Sequence, residues 1–190
     1  VIPMAEQRSW YRYHHLFAEL LKQRLQLRYK EVIIELHNKA CNWFVNNKMF
    51  VFAIRHAIAI QNHEKSIQLI GSVVEEMWEK GHHVAILNYG SILPEELIKK
   101  NANFCLYYAW VLIISGQVQK GATFLKDAET IFNNNYDNNI LNINTDKKNL
   151  WGKITVASAY LHSQLNNPEK TIEYFKIALD NLGTEESLWQ

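Results

Sequence analysis

The chain has 190 residues, 48% of them hydrophobic, and a formal net charge of +1. It is therefore long and apolar enough to bury a sizeable core, and it has no global field that would draw it to nucleic acid or an anionic membrane. Cys41 and Cys105 have no CxxC spacing, which points to reduced thiols in a cytoplasmic setting. Seven glycines and three prolines exclude a loop-rich β fold, and the apolar run Tyr107 to Ile114 is far shorter than the roughly 20 residues of a membrane span.

The sequence opens VIPMAEQ, without an initiator methionine or secretory leader, as expected of a segment of a longer protein. Val1 to Pro3 is the one hint of a strand. Trp10, Tyr13, His14, Phe17, Leu20 and Leu21 recur at helical spacing, which predicts a first helix with His14 on its apolar stripe and His15 off it. A second helix is expected from about Glu31, with Leu36, Ala40, Trp43 and Phe44 on one face, ending at Asn46 to Lys48. A third begins near Phe50 and presents Ala53, Ile54 and Ala57. A fourth carries Ile67, Ile70, Val73, Val74 and Met77 and stops near Gly81, a left-handed cap. His82 and His83 fall in a turn, and Pro94 starts a short helix whose Glu95 and Glu96 suit the helix dipole. Helices follow over about 103–115 and 117–132, split by Gly116. The asparagine-rich stretch 133–149 is a surface loop, because asparagine competes with its own backbone for hydrogen bonds. A last pair is expected over about 150–165 and 168–182, with Asn167 and Pro168 as cap and first turn and Gly183 as stop. The fold class is all-α.

An internal pattern links the helix pairs. Ala109 is followed after twelve residues by Gly121, then by Leu125 and Ala128; Ala159 leads in the same way to Thr171, Phe175 and Ala178, and Cys41 to Ala53, Ala57 and Ile60. Small residues twelve apart let two antiparallel helices approach closely, the spacing of tetratricopeptide units. The same spacing fits an ordinary antiparallel bundle.

No chemistry-bearing motif stands out. WGKIT at 151–155 lacks the glycine and hydroxyl residue of a phosphate-binding loop. His37 and Cys41 lie one turn apart, but neighbouring Leu36, Ala40 and Phe44 favour packing over zinc, and His82 with His83 lack a third ligand. The basic cluster Lys22 to Lys30 reads as the solvated end of the first helix. No catalytic residue, metal site or cofactor is expected in this segment.

The runs IPMAEQRSWYRYHHLFAELLKQRL, ELHNKACNWFVNN, FAIRHAIAIQNHEKSIQLI and SILPEELIKKNANFCLYYAWVLIISGQVQKGATFLKDAE resemble the MalT-like (LuxR-type) ATP-dependent transcriptional regulators. In that family a nucleotide-binding ATPase module is followed by a winged helix, a helical-repeat sensor and a DNA-binding helix-turn-helix. The resemblance implies that residues 1–29 are the C-terminal part of the winged helix and 30–190 the start of a tetratricopeptide-like sensor. It implies ATP or ADP in the whole protein only, a small-molecule or protein effector, contact with the upstream ATPase domain of the same chain, and no direct contact of this segment with nucleic acid or membrane. Tyr13 to Phe17 align with the Met-His-Asp motif of related signalling ATPases, whose histidine touches the phosphates of ADP. His14 matches that histidine, and His15 stands in place of the acid. Tyr108 and Trp110, on the first helix of a pair, are the candidates for effector contact. The alternative is a free-standing helical-repeat scaffold for protein–protein interaction.

Overall fold

The computed structural model describes residues 2–3, 11–135 and 145–182. Apart from a two-residue strand pair the described chain is all-α, as the periodicity predicts. Strand β1 (Ile2–Pro3) pairs antiparallel with β2 (Tyr11–Arg12), placing Ile2 opposite Arg12 and Pro3 opposite Tyr11. Ten helices follow: α1 (His15–Arg28), α2 (Lys30–Asn46), α3 (Phe50–Ala59), α4 (His63–Glu79), α5 (His83–Ile92), α6 (Glu95–Ile98), α7 (Ala102–Ile114), α8 (Val118–Asn135), α9 (Thr145–Gln164) and α10 (Pro168–Asn181). They fall into two compact units, Val1–Gln61 and Asn62–Gln190. The first unit holds together because α1 and α3 both pack on α2.

Four helix pairs (α2 with α3, α4 with α5, α7 with α8, α9 with α10) are joined by one turn used four times. Lys48, Gly81, Gly116 and Asn166 each adopt a positive φ, between 53° and 84°. In each turn the next residue's N–H bonds back to the carbonyl five residues earlier: Met49 to Phe44, His82 to Met77, Gln117 to Leu112 and Asn167 to His162, at 2.8–3.0 Å. The left-handed residue itself donates to the carbonyl three before it. This paired bonding satisfies orphan carbonyls at the helix end and reverses the chain in three residues. Three N-caps are asparagines: Asn62, Asn101 and Asn167 accept from the N–H of Lys65, Phe104 and Lys170. Each such cap contributes about 1 kcal/mol.

The second unit is organised round α7, where every residue from Phe104 to Ile113 is buried. That helix packs against α4, α5, α8 and α9, which is why its sequence shows no polar face. Close approach depends on small residues. A Cβ on Gly121 would lie 2.5 Å from Ile113 Cγ1 and 3.0 Å from the Ala109 carbonyl oxygen, so the Ala109–Gly121 spacing does bring α7 and α8 together. Gly90 on α5 is tighter still, with the Tyr108 ring 2.2–2.4 Å from where its Cβ would be. Leu125 and Ala128 are buried, whereas Phe175, the counterpart of Leu125 on α10, is half-exposed beside Ile172 and Leu179.

Three sequence expectations differ from the structure. The first helix begins at His15, not near Trp10, because Tyr11 and Arg12 extend to pair with β1. Helix α5 falls where no helix was expected between Gly81 and Pro94: its sequence HVAILNYGSI has no polar stripe, and Gly90 and Ser91 weaken helix propensity. The asparagine-rich stretch expected as a loop over 133–149 is helix to Asn135 and again from Thr145, and the rest of it lies outside the described residues.

Candidate functional site

The first helices of three pairs in the second unit, α4, α7 and α9, turn side chains of one kind onto a common face. Helical spacing puts Glu75 and Trp78 together on α4, Tyr107 and Trp110 on α7, and Lys153 and Tyr160 on α9. Ring centroids of Trp78 and Trp110 are 5.7 Å apart, and those of Trp110 and Tyr160 5.0 Å. The row continues to His83, whose ring lies 4.5 Å from Trp78. Trp78 and Tyr160 keep an exposed edge while Trp110 between them is buried. Beside the row the buried Lys153 ammonium binds the Glu75 carboxylate, which is 41% exposed, so α4 and α9 are joined by charge as well as by rings. Further along α9, the Ser158 hydroxyl donates to Glu129 of α8 at 2.7 Å. Such a strip offers flat apolar faces for stacking and a charged pair for orientation, the combination by which concave sites fix a ligand.

The two expected effector residues are thereby separated. Trp110 belongs to this row. Tyr108, two residues earlier, projects to the other side of α7, fully buried against Gly90 and edge-on to Phe124 at 4.8 Å. There the Lys120 ammonium sits 5.8 Å from its ring centre and is bound to Glu95 at 2.9 Å. Tyr108 thus packs between α5 and α8, whereas Trp110 packs between α4 and α9. Trp78, Tyr160, Glu75 and Lys153 were not anticipated; the signal available was aromatic and charged residues recurring on the first helix of successive pairs.

His14 is not on a helical stripe. It is the N-cap residue of α1, with an extended backbone (φ −55°, ψ 139°), and its carbonyl accepts from Ala18 N–H at 2.9 Å. Its side chain is exposed, with its ring centre 4.3 Å from that of His15. The expectation that helix geometry parts the two histidines fails because His14 precedes the helix. Tyr13, not His14, meets Phe17, edge-on at 5.4 Å; Trp10 lies outside the described residues. Among the other histidines, His82 caps α5 at the surface, and His37 bonds to His56 rather than sharing anything with the buried Cys41. No cluster of three metal-ligating side chains occurs among the described residues. A shallow cavity of about 220 Å³, lined by Glu64, Ile67, Gln68, Leu97, Lys100 and Asn101, is smaller than the roughly 300–1,000 Å³ of a typical ligand pocket. No helix among the described residues is long and apolar enough to cross a membrane.

Residues 1–33 match the MalT winged helix domain. The HTH-type transcriptional regulator MalT of Vibrio parahaemolyticus is 22% identical over 182 residues, covering 96% of this chain and 19% of that protein. MalT of Vibrio cholerae is 24% identical over 184 residues, with the same coverage. The serine/threonine-protein kinase PknK of Mycobacterium tuberculosis is 27% identical over 106 residues, 56% of this chain and 10% of the kinase. The chain thus spans about a fifth of the length of the MalT relatives and a tenth of the kinase. No solved structure matches it. The chain is similar over almost its full length to MalT-type transcriptional regulators, and it begins with residues that match their winged helix domain.

Proposed function

We propose that this chain is a non-catalytic regulatory segment of a cytoplasmic, MalT-like, ATP-dependent transcriptional regulator, and that its helix pairs sense an effector or protein partner. The observation that carries the reading is the pattern of similarity: 182 residues of this chain are matched in a protein named a transcriptional regulator and 106 in one named a protein kinase, and the match is a small part of each. A part shared by proteins with different outputs is better suited to control than to the output itself. The turn spacing supports a tetratricopeptide-like superhelix: Lys48 to Gly81 is 33 residues and Gly81 to Gly116 is 35, against 34 for that repeat. In such a superhelix the first helices line the concave surface, and it is the first helices α4, α7 and α9 that carry the Trp78–Trp110–Tyr160 row and the Glu75–Lys153 pair.

The mechanism is a population shift. Effector binding to the α4–α7–α9 face favours helix-pair geometry that packs less well against the ADP-bound ATPase module, and the active state gains population in proportion to that differential affinity. ATP hydrolysis and DNA contact belong to other parts of the whole protein. The exposed His14 imidazole, at the segment matching the winged helix, is suited to donate a hydrogen bond to an ADP phosphate presented by the ATPase module.

The test uses the full-length protein in a transcription assay. Trp78→Leu and Tyr160→Leu are expected to change the response to inducing extracts while leaving DNA affinity unchanged. His14→Ala is expected to hasten ADP release and raise basal transcription. ATP hydrolysis or promoter binding by the isolated 190-residue chain would overturn the proposal; unchanged ADP retention and basal activity in His14→Ala would remove the nucleotide role alone.

A further inference from the structure

His37 on α2 and His56 on α3 face each other in the first unit, with their Nδ1 atoms 2.8 Å apart, a separation that requires a shared proton. Phe44 stacks on the His56 ring at 5.4 Å and 19°, and Phe52 stacks on Phe44 at 5.2 Å. Ala53 and Ala57, either side of His56 on α3, are fully buried, as is Cys41 one turn beyond His37. The bond therefore sits at the edge of the apolar contact that holds the two helices together.

Proton counting sets what this pair can do. Two neutral rings make the bond when one carries its hydrogen on Nδ1 and the other on Nε2. One added proton keeps the bond and strengthens it, since an imidazolium then donates to a neutral ring. A second added proton sets N–H against N–H and places two like charges in contact. We propose that His37 and His56 form a proton-operated latch, holding α3 to α2 while the pair is at most singly protonated and releasing it once both rings are charged.

The surrounding charges favour release in acid over tolerance of the second proton. Burial first, then His37 and then Arg55 hold the His56 imidazole below its ordinary value. The described carboxylates of α1 and α2 are engaged elsewhere, Glu19 with Lys22 at 2.7 Å and Glu35 with Lys39 at 2.6 Å, while Arg24 and Arg28 of α1 are exposed. Because the folded His56 binds its proton less readily than the unfolded chain does, its contribution is present above the ordinary histidine value of about 6.5 and is lost as the pH falls below it. The residues matching the winged helix run into the first turn of α2, so the latch places an acid-sensitive joint directly after that match.

Amide hydrogen exchange of the intact chain, corrected for intrinsic exchange, tests the latch. Between about pH 7.5 and about pH 5, protection in α2 and α3 is expected to fall about fivefold, the worth of one net hydrogen bond. Protection in α7 serves as the internal reference. His56→Asn keeps a non-titrating hydrogen-bonding group near the Nδ1 position and is expected to abolish the fall; His37→Asn carries the same expectation should the first variant fold poorly. Imidazole nitrogen spectra at neutral pH are expected to show one of the two rings protonated at Nδ1. An equal loss of protection in the variants, or two rings protonated at Nε2 and titrating independently, would overturn the proposal.

Discussion

Replacing Gly90 by alanine tests the packing that holds α5 to α7. The added Cβ would lie 2.2–2.4 Å from three carbons of the Tyr108 ring, well inside van der Waals contact. Tyr108 is fully buried and meets Phe124 edge-on at 4.8 Å, so the ring has no free volume into which to swing. Overpacking of this kind costs about 3 kcal/mol when the backbone must shift. Alanine in place of glycine inside a helix returns about 1 kcal/mol of propensity, leaving a net loss of about 2 kcal/mol. For a chain of this size that corresponds to a fall in Tm of about 4–8 °C. Thermal unfolding followed by far-ultraviolet circular dichroism reads it. The cycle is closed with Tyr108→Leu, which is destabilising by itself but clears the space; in that background Gly90→Ala is expected to be neutral or stabilising. An unchanged or raised Tm for Gly90→Ala alone refutes the reasoning, because the propensity gain would then be the whole effect.

Three further outcomes follow from the turns and thiols. Gly116→Ala is expected to destabilise by about 1 kcal/mol through its φ of 84° alone, since nothing lies within 4 Å of the new methyl; Lys48→Gly, at φ 57° and exposed, should stabilise by a similar amount in denaturant titrations. Cys105 is fully buried, and burial followed by the nearby Asp127 carboxylate pushes its thiol up to about 12, so neither it nor the buried Cys41 should react with Ellman's reagent until the chain is unfolded.

What the sequence disclosed depended on whether a residue's role is local. The asparagine N-cap at Asn167, the left-handed glycines Gly81 and Gly116, and the Ala109–Gly121 spacing are short-range signals, and each marks the feature it predicted. The start of α1 was misplaced because its residues have helical spacing, while a pairing between Ile2–Pro3 and Tyr11–Arg12 decides the backbone. Helix α5 was missed for a related reason: its residues are apolar on every side, and what makes a glycine suitable at position 90 is a tyrosine eighteen residues away. The candidate face was legible only in part. Trp110 could be picked as an aromatic on a first helix, but its partners Trp78 and Tyr160 come from other pairs, and nothing near Trp110 in sequence names them. Tyr108 looked equivalent at a distance of two residues, yet that step carries it to the opposite side of α7. The His37–His56 bond is not legible in the sequence because its partners lie on different helices, and within α2 the nearer neighbour of His37 is Cys41.

The Trp78–Trp110 pair also has an optical consequence. Two indoles 5.7 Å apart and inclined at 34° couple as excitons, and they sit on helices of different pairs. A small slide of α4 past α7 would change the sign or amplitude of their near-ultraviolet couplet before any helix melted. The protein thus carries its own gauge of the movement between neighbouring helix pairs, readable without a label.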